Sequence, residues 1–108
     1  MYKRVLFAAD FDEVGVRAAK KAKKIADENH ADLILVHVVE PIPAYAYPGF
    51  AGFAEVELSI RDQAQKELSD LAKKLGIDAK HQFIEFGSTK NEILRVAKEH
   101  KIDLIVTG

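Results

Sequence analysis

Apolar residues in this chain gather in short runs separated by stretches of helical period, and that alternation predicts the fold class. Val5 to Ala9 (VLFAA) is too short for a helix and is framed by charge. It reads as a strand buried on both faces, as in the middle of a parallel sheet. From Val14 to Asn29 the period changes. Val14, Ala18, Ala22 and Ile25, with Ala19 and Ala26 beside them, form one apolar helical stripe. Asp12 is placed to cap that helix and Glu13 suits its positive end. Arg17, Lys20, Lys21 and Lys24 fall opposite the stripe and read as a solvated outer face. Leu33 to Val39 (LILVHVV) is a second buried strand, so the first unit is a right-handed strand–helix–strand crossover with parallel strands. His37, alone in that run, reads as a hydrogen-bonded core histidine rather than a ligand.

The second half repeats the rhythm. Residues 41–53 (PIPAYAYPGFAGF) are uncharged and rich in Pro, Gly and aromatics, which forbids a regular helix and predicts a mobile cover over a ligand or partner. Val56, Ile60, Ala64, Leu68, Leu71 and Leu75 then mark a long helix from Ala54, closed by Gly76. His81 to Phe86 alternates and is more polar, as an edge strand does. Thr89-Lys90-Asn91-Glu92 has capping-box spacing, with Ser88 as the other candidate cap, and opens a helix to His100. Ile102 to Val106 is expected to be a fourth buried strand. The junctions around His30 and His100 resemble each other and imply shared helix-to-strand loop chemistry.

These elements predict an α/β fold, a Rossmann-like doubly wound parallel sheet in the order 3-2-1-4 with helices on both faces. In such sheets ligands bind outside the carboxyl ends of the strands, where the order reverses. That rule puts Ala8, Ala9, Asp10 and Phe11 at one rim of a crevice with Thr107 and Gly108, and Val38 and Val39 at the other. Ala8 and Ala9 are small enough for a flat ligand to reach the backbone. One carboxylate among free backbone groups suits a purine.

Composition narrows the picture without redirecting it. The chain has 108 residues, enough for one compact domain, and a 48% hydrophobic, 31% charged make-up that argues against disorder. A net charge of −1 gives no electrostatic case for nucleic acid or an anionic membrane. With no cysteine there is no disulfide, thiolate metal site or cysteine nucleophile, which suits a reducing cytoplasm. No apolar run approaches the roughly 20 residues of a membrane span. A glycine directly after a strand normally opens a loop, so the expectation for residues 1–108 is a single domain lacking a final helix and strand. Neither a G-x-G-x-x-G fingerprint nor a G-x-x-x-x-G-K-[ST] loop is present, and Ser59, Ser69 and Ser88 lack a nucleophile-elbow context. Asp10 and Asp12 form a weak acidic pair that could hold a divalent ion through oxygen ligands.

Four blocks, VLFAADFDE, LILVHVVEP, GSTKNEILRVA and DLIVTG, resemble in order the successive blocks of the universal stress protein (UspA) family. The resemblance spans the chain. It implies a five-stranded Rossmann-like domain, usually a homodimer, with one branch that binds ATP and one that does not. In the binding branch Asp10 and Val38 match the positions that hold adenosine. Gly108 matches the first glycine of a phosphate loop G-x2-G-x9-G-[ST]. The implied ligands are ATP or AMP, with Mg accompanying ATP, and the implied action is binding and dimerisation with at most slow ATP hydrolysis. Two alternatives stand beside this reading. One is a non-binding dimeric universal stress protein acting as an interaction module. The other is a receiver-type signalling domain, which needs a phosphoacceptor aspartate at the end of strand 3, where this chain has Glu85-Phe86-Gly87.

Overall fold

The computed structural model describes residues 2–41 and 53–107. Four strands, β1 (Arg4–Ala8), β2 (Asp32–Val39), β3 (Gln82–Phe86) and β4 (Leu104–Thr107), form one sheet in the order β3-β2-β1-β4. Every pairing is parallel, with Val5 opposite Leu33 and Leu104, and Val38 opposite Glu85. Three helices connect them: α1 (Glu13–Glu28), α2 (Phe53–Leu75) and α3 (Thr89–Glu99). The predicted doubly wound topology is the one observed.

Side chains of a strand alternate between faces, and the core divides accordingly. Val5, Phe7, Leu33 and Leu35 point to the face covered by Ala19, Ala22 and Ala26 of α1 and by Leu68, Leu71 and Ala72 of α2. Leu6, Ile34 and Val36 point to the other face, where Val96 of α3 seals them. The buried stripe of α1 is rotated from the expected one. Gly15, Ala19, Ala22 and Ala26 are buried, whereas Val14 is 63% exposed. Small side chains carry little hydropathy, yet they let a helix lie close to a sheet, and close approach decides the face here.

β4 departs from expectation in a second way. Among the described residues it has β1 as its one neighbour, its burial alternates, and Ile105 is 37% exposed. Among the described residues, β1 and β2 are the strands with neighbours on both sides, and the fully buried stretches Val5–Phe7 and Leu33–Val36 belong to them. The expected aromatic cover at 41–53 lies outside the described residues, save for Pro41 and for Phe53, where α2 begins.

Local rules fix the ends of the elements. Asp12 caps α1, its carboxylate accepting from the Gly15 amide at 2.6 Å. Ser88 is the residue before α3 but makes no side-chain cap; Thr89 instead donates its hydroxyl to Glu40 at 3.0 Å. The three helices end alike. One or two residues past each helix the chain takes positive φ (His30 52°, Gly76 70°, Lys101 53°). The next amide then returns to a carbonyl of the last turn, Ala31 to Ala26, Ile77 to Ala72 and Ile102 to Ala97. At the amino ends of the strands, Asp103 accepts from the amides of Lys3 (2.8 Å) and Arg4 (2.9 Å) and tethers β4 to β1. Those amide donors, Lys3 first, hold the Asp103 carboxyl below the usual carboxylate range.

Candidate functional site

β1 ends at Ala8, opposite Val36 of β2 and Thr107 of β4; β2 runs on to Val39, while the chain of β1 turns away through Ala9 and Asp10 into α1. The space it vacates is a cleft of about 270 Å³ lined by Ala8, Ala9, Asp10, Val36, His37, Val38, Thr89, Ile93 and Thr107. It lies at the carboxyl ends of the strands where their order reverses, on the face carrying α3. Five of the residues singled out in the sequence, Ala8, Ala9, Asp10, Val38 and Thr107, therefore line one cavity. Gly108 lies outside the described residues.

Phe11 is not brought into this cleft. It continues the alternation of Val5, Phe7 and Ala9 and packs with that cluster on the opposite face. There its ring lies against the His37 imidazole, centroids 4.6 Å apart, lining a separate hollow of about 440 Å³ under α2.

The backbone decides what the cleft can recognise. The amide of Ala9 donates to the carbonyl of Val36 at 2.7 Å, so Val36 turns its peptide groups toward β1. Two residues on, Val38 presents its N–H and C=O in the same direction, because strand polarity repeats every second residue. β1 pairs only as far as Ala8 opposite Val36, so this second donor–acceptor pair faces the cleft beyond the end of its neighbour. Val39 points the other way, its carbonyl accepting from Gly87 at 3.1 Å.

Asp10 adds an exposed carboxylate at the mouth. Its main chain rests on the first turn of α1 so tightly that a Cβ at Gly15 would lie 2.7 Å from the Asp10 carbonyl carbon. The Ala9 carbonyl accepts from His37 at 2.8 Å; a carbonyl can only accept, so the proton sits on Nδ1. The histidine is thus a hydrogen-bonded residue of the sheet, as the sequence implied. Asp12 spends its carboxylate on the α1 cap, which takes it out of the acidic pair with Asp10. Among the described residues no group of three or more His, Asp or Glu comes together as a metal site.

Thr89 and Ile93 were not among the sequence candidates. A right-handed crossover from β3 starts α3 at the carboxyl end of the sheet, so its first turn must border the crevice; connectivity, not motif, carries that signal. Arg95 holds the helix there by bridging Glu85 of β3 at 2.9 Å, and its guanidinium is held above the ordinary arginine range by Glu92 first and then Glu99. Gly15 carries no signal of its own in the helical pattern; its place beside the Asp10 main chain shows only in the structure.

The family model described as "Universal stress protein family" matches residues 1–108. This chain belongs to the universal stress protein family. Among curated relatives, universal stress protein A homolog 2 of Coxiella burnetii is 35% identical over 109 residues, covering 99% of this chain and 75% of that one. A universal stress protein of Thermus aquaticus is 32% identical over 108 residues, covering 100% of this chain and 77% of its own length. A solved universal stress protein from Burkholderia pseudomallei superposes with a TM-score of 0.79 at 24% identity, covering 99% of this chain and 81% of that one. Another, solved in complex with cAMP, gives a TM-score of 0.62 at 24% identity, covering 96% and 70%. At that identity the two structures establish the universal stress protein fold.

Proposed function

We propose that this universal stress protein binds an adenine nucleotide, ATP or AMP, in the cleft at the ends of β1, β2 and β4. One observation carries the reading: the N–H and C=O of Val38 face the cleft as an adjacent donor and acceptor. Adenine presents the complementary pair, an amino group beside an unprotonated ring nitrogen. Guanine reverses that edge, and mismatching two buried peptide groups discriminates strongly against it. Ala8 and Ala9 leave room for the flat ring, and the Asp10 carboxylate accepts from a ribose hydroxyl. The phosphates then lie past Thr107, toward Gly108. The cAMP found in a protein of the same fold supports an adenine nucleotide as the ligand class.

In this reading the protein is a cytoplasmic homodimer that works by binding and assembly rather than by rapid catalysis, with the 1–108 chain forming one domain. Mg is carried by the ATP phosphates, since Asp12 is committed to its helix. Denaturing the freshly purified protein and analysing the supernatant for ATP, ADP and AMP tests the proposal. Adenine nucleotide near one equivalent is the expected result. A nucleotide-free preparation that also fails to bind millimolar ATP or AMP overturns it and leaves the dimeric interaction module.

A further inference from the structure

The turn that delivers Asp10 to the cleft rests on Gly15 of α1 on one side and is bonded to β2 through the peptide groups of Ala9 on the other. The Ala9 amide is tied to Val36 (2.7 Å), and the Ala9 carbonyl is tied to the side chain of His37 (2.8 Å). Both anchors belong to β2, the strand that also presents Val38. The imidazole is half-buried and rests against the Phe11 ring on one side (centroids 4.6 Å apart). A histidine whose Nδ1–H is spent on a backbone carbonyl supplies no proton to a ligand from that nitrogen. What it supplies is geometry.

We propose that His37 is a positioning residue that locks the Ala9–Asp10 turn against β2 and so holds the Asp10 carboxylate in register with the Val38 peptide groups. The consequence for ligand rests on the adenine-nucleotide reading; the locking of the turn does not. Asp10 is exposed and lies two residues past Ala8, the last paired residue of β1, so the sheet ladder reaches it only through Ala9. Without the His37 bond the Ala9 carbonyl loses its only anchor from β2, and the carboxylate moves relative to Val38. Apolar replacement of His37 leaves that carbonyl half-buried without its donor.

The chemistry selects the test. An asparagine side-chain amide places its nitrogen near the position of histidine Nδ1 and can donate to the same carbonyl, whereas leucine fills the space without a donor. Calorimetric titration of wild type, His37→Asn and His37→Leu with AMP and ATP, well below each melting temperature, is paired with amide and carbonyl NMR shifts of Ala9 and Asp10. We expect His37→Leu to lose about tenfold in affinity and His37→Asn to stay within about threefold of wild type, as one hydrogen bond lost and restored requires. The Ala9 and Asp10 shifts should move in His37→Leu and return in His37→Asn. In an Asp10→Ala background, His37→Leu should cost no further affinity, because it acts through Asp10. Equal affinity and unmoved Ala9 and Asp10 shifts in His37→Leu would overturn the proposal, whatever the melting temperature does. Should wild type bind neither nucleotide, the shifts decide: their recovery in His37→Asn upholds the locked turn while the nucleotide reading falls.

Discussion

Gly15 and Asp10 touch through their main chains: a Cβ added at Gly15 would sit 2.7 Å from the Cβ of Asp10 and equally close to its carbonyl carbon. That contact joins the helix dipole end of α1 to the residue at the mouth of the cleft. It explains why a glycine occupies the first turn of a helix whose buried face is otherwise alanine. Helix propensity alone favours alanine there by about 1 kcal/mol. The clash outweighs it, because the obstructing atoms are backbone and cannot rotate away; overpacking of this kind costs about 1–3 kcal/mol. Gly15→Ala is therefore expected to lower the melting temperature and weaken nucleotide binding together. A rise in stability would show that Asp10 yields freely.

The tether at the opposite end of the sheet is pH-dependent. Backbone donors at Lys3 and Arg4 lower the Asp103 carboxyl in the folded state. A depressed carboxylate contributes stability that is fully present above its unfolded value, about 3.9, and that is lost as pH falls through the lower folded value. Asp103→Ala should reduce the melting temperature at neutral pH, and the gap from wild type should narrow at about pH 2.5. Thermal melts at the two pH values check this. A gap that stays constant would remove the charge from the account.

Lys101 closes α3 at φ 53° without being glycine. A side chain in the left-handed region costs about 1–2 kcal/mol, part of which glycine forfeits through a more flexible unfolded chain. Lys101→Gly should accordingly raise stability by up to about 1 kcal/mol. Chemical denaturation of the two proteins measures it. Lost stability would mean that the Lys101 side chain makes a contact that outweighs the strain.

The parts of this fold that were legible in the sequence are those where hydropathy and burial coincide. Val5–Phe7 and Leu33–Val36 read as central strands because both their faces are covered, and they are. Asp12 read as a cap from position alone and caps. Legibility failed where burial comes from closeness rather than from apolar bulk. Gly15, Ala19, Ala22 and Ala26 are buried, yet Val14 looked the better candidate. It failed again where local pattern hides place in the sheet. The run at β4 is as apolar as β1, but among the described residues it has a neighbour on one side and its burial alternates. The candidate site was legible to the extent that the switch-point rule applies: Asp10, Val38 and Thr107 line the same cleft. Phe11 faces the other way, which the strict alternation from Phe7 through Ala9 already encodes. Thr89 and Ile93 border the cleft through connectivity that no local window contains.

The central claim is that the Val38 peptide edge and the Asp10 carboxylate together bind adenosine. Calorimetric titration of wild type and Asp10→Ala with ATP, with GTP as the control, tests it most directly. Losing a hydrogen bond to a charged acceptor costs about 1.5–3 kcal/mol, or roughly one to two decades in Kd. The account predicts that wild type binds ATP in preference to GTP, and that Asp10→Ala binds ATP at least about tenfold more weakly at an unchanged melting temperature. Unchanged ATP affinity in Asp10→Ala, or no ATP binding by wild type at millimolar concentration, would contradict it.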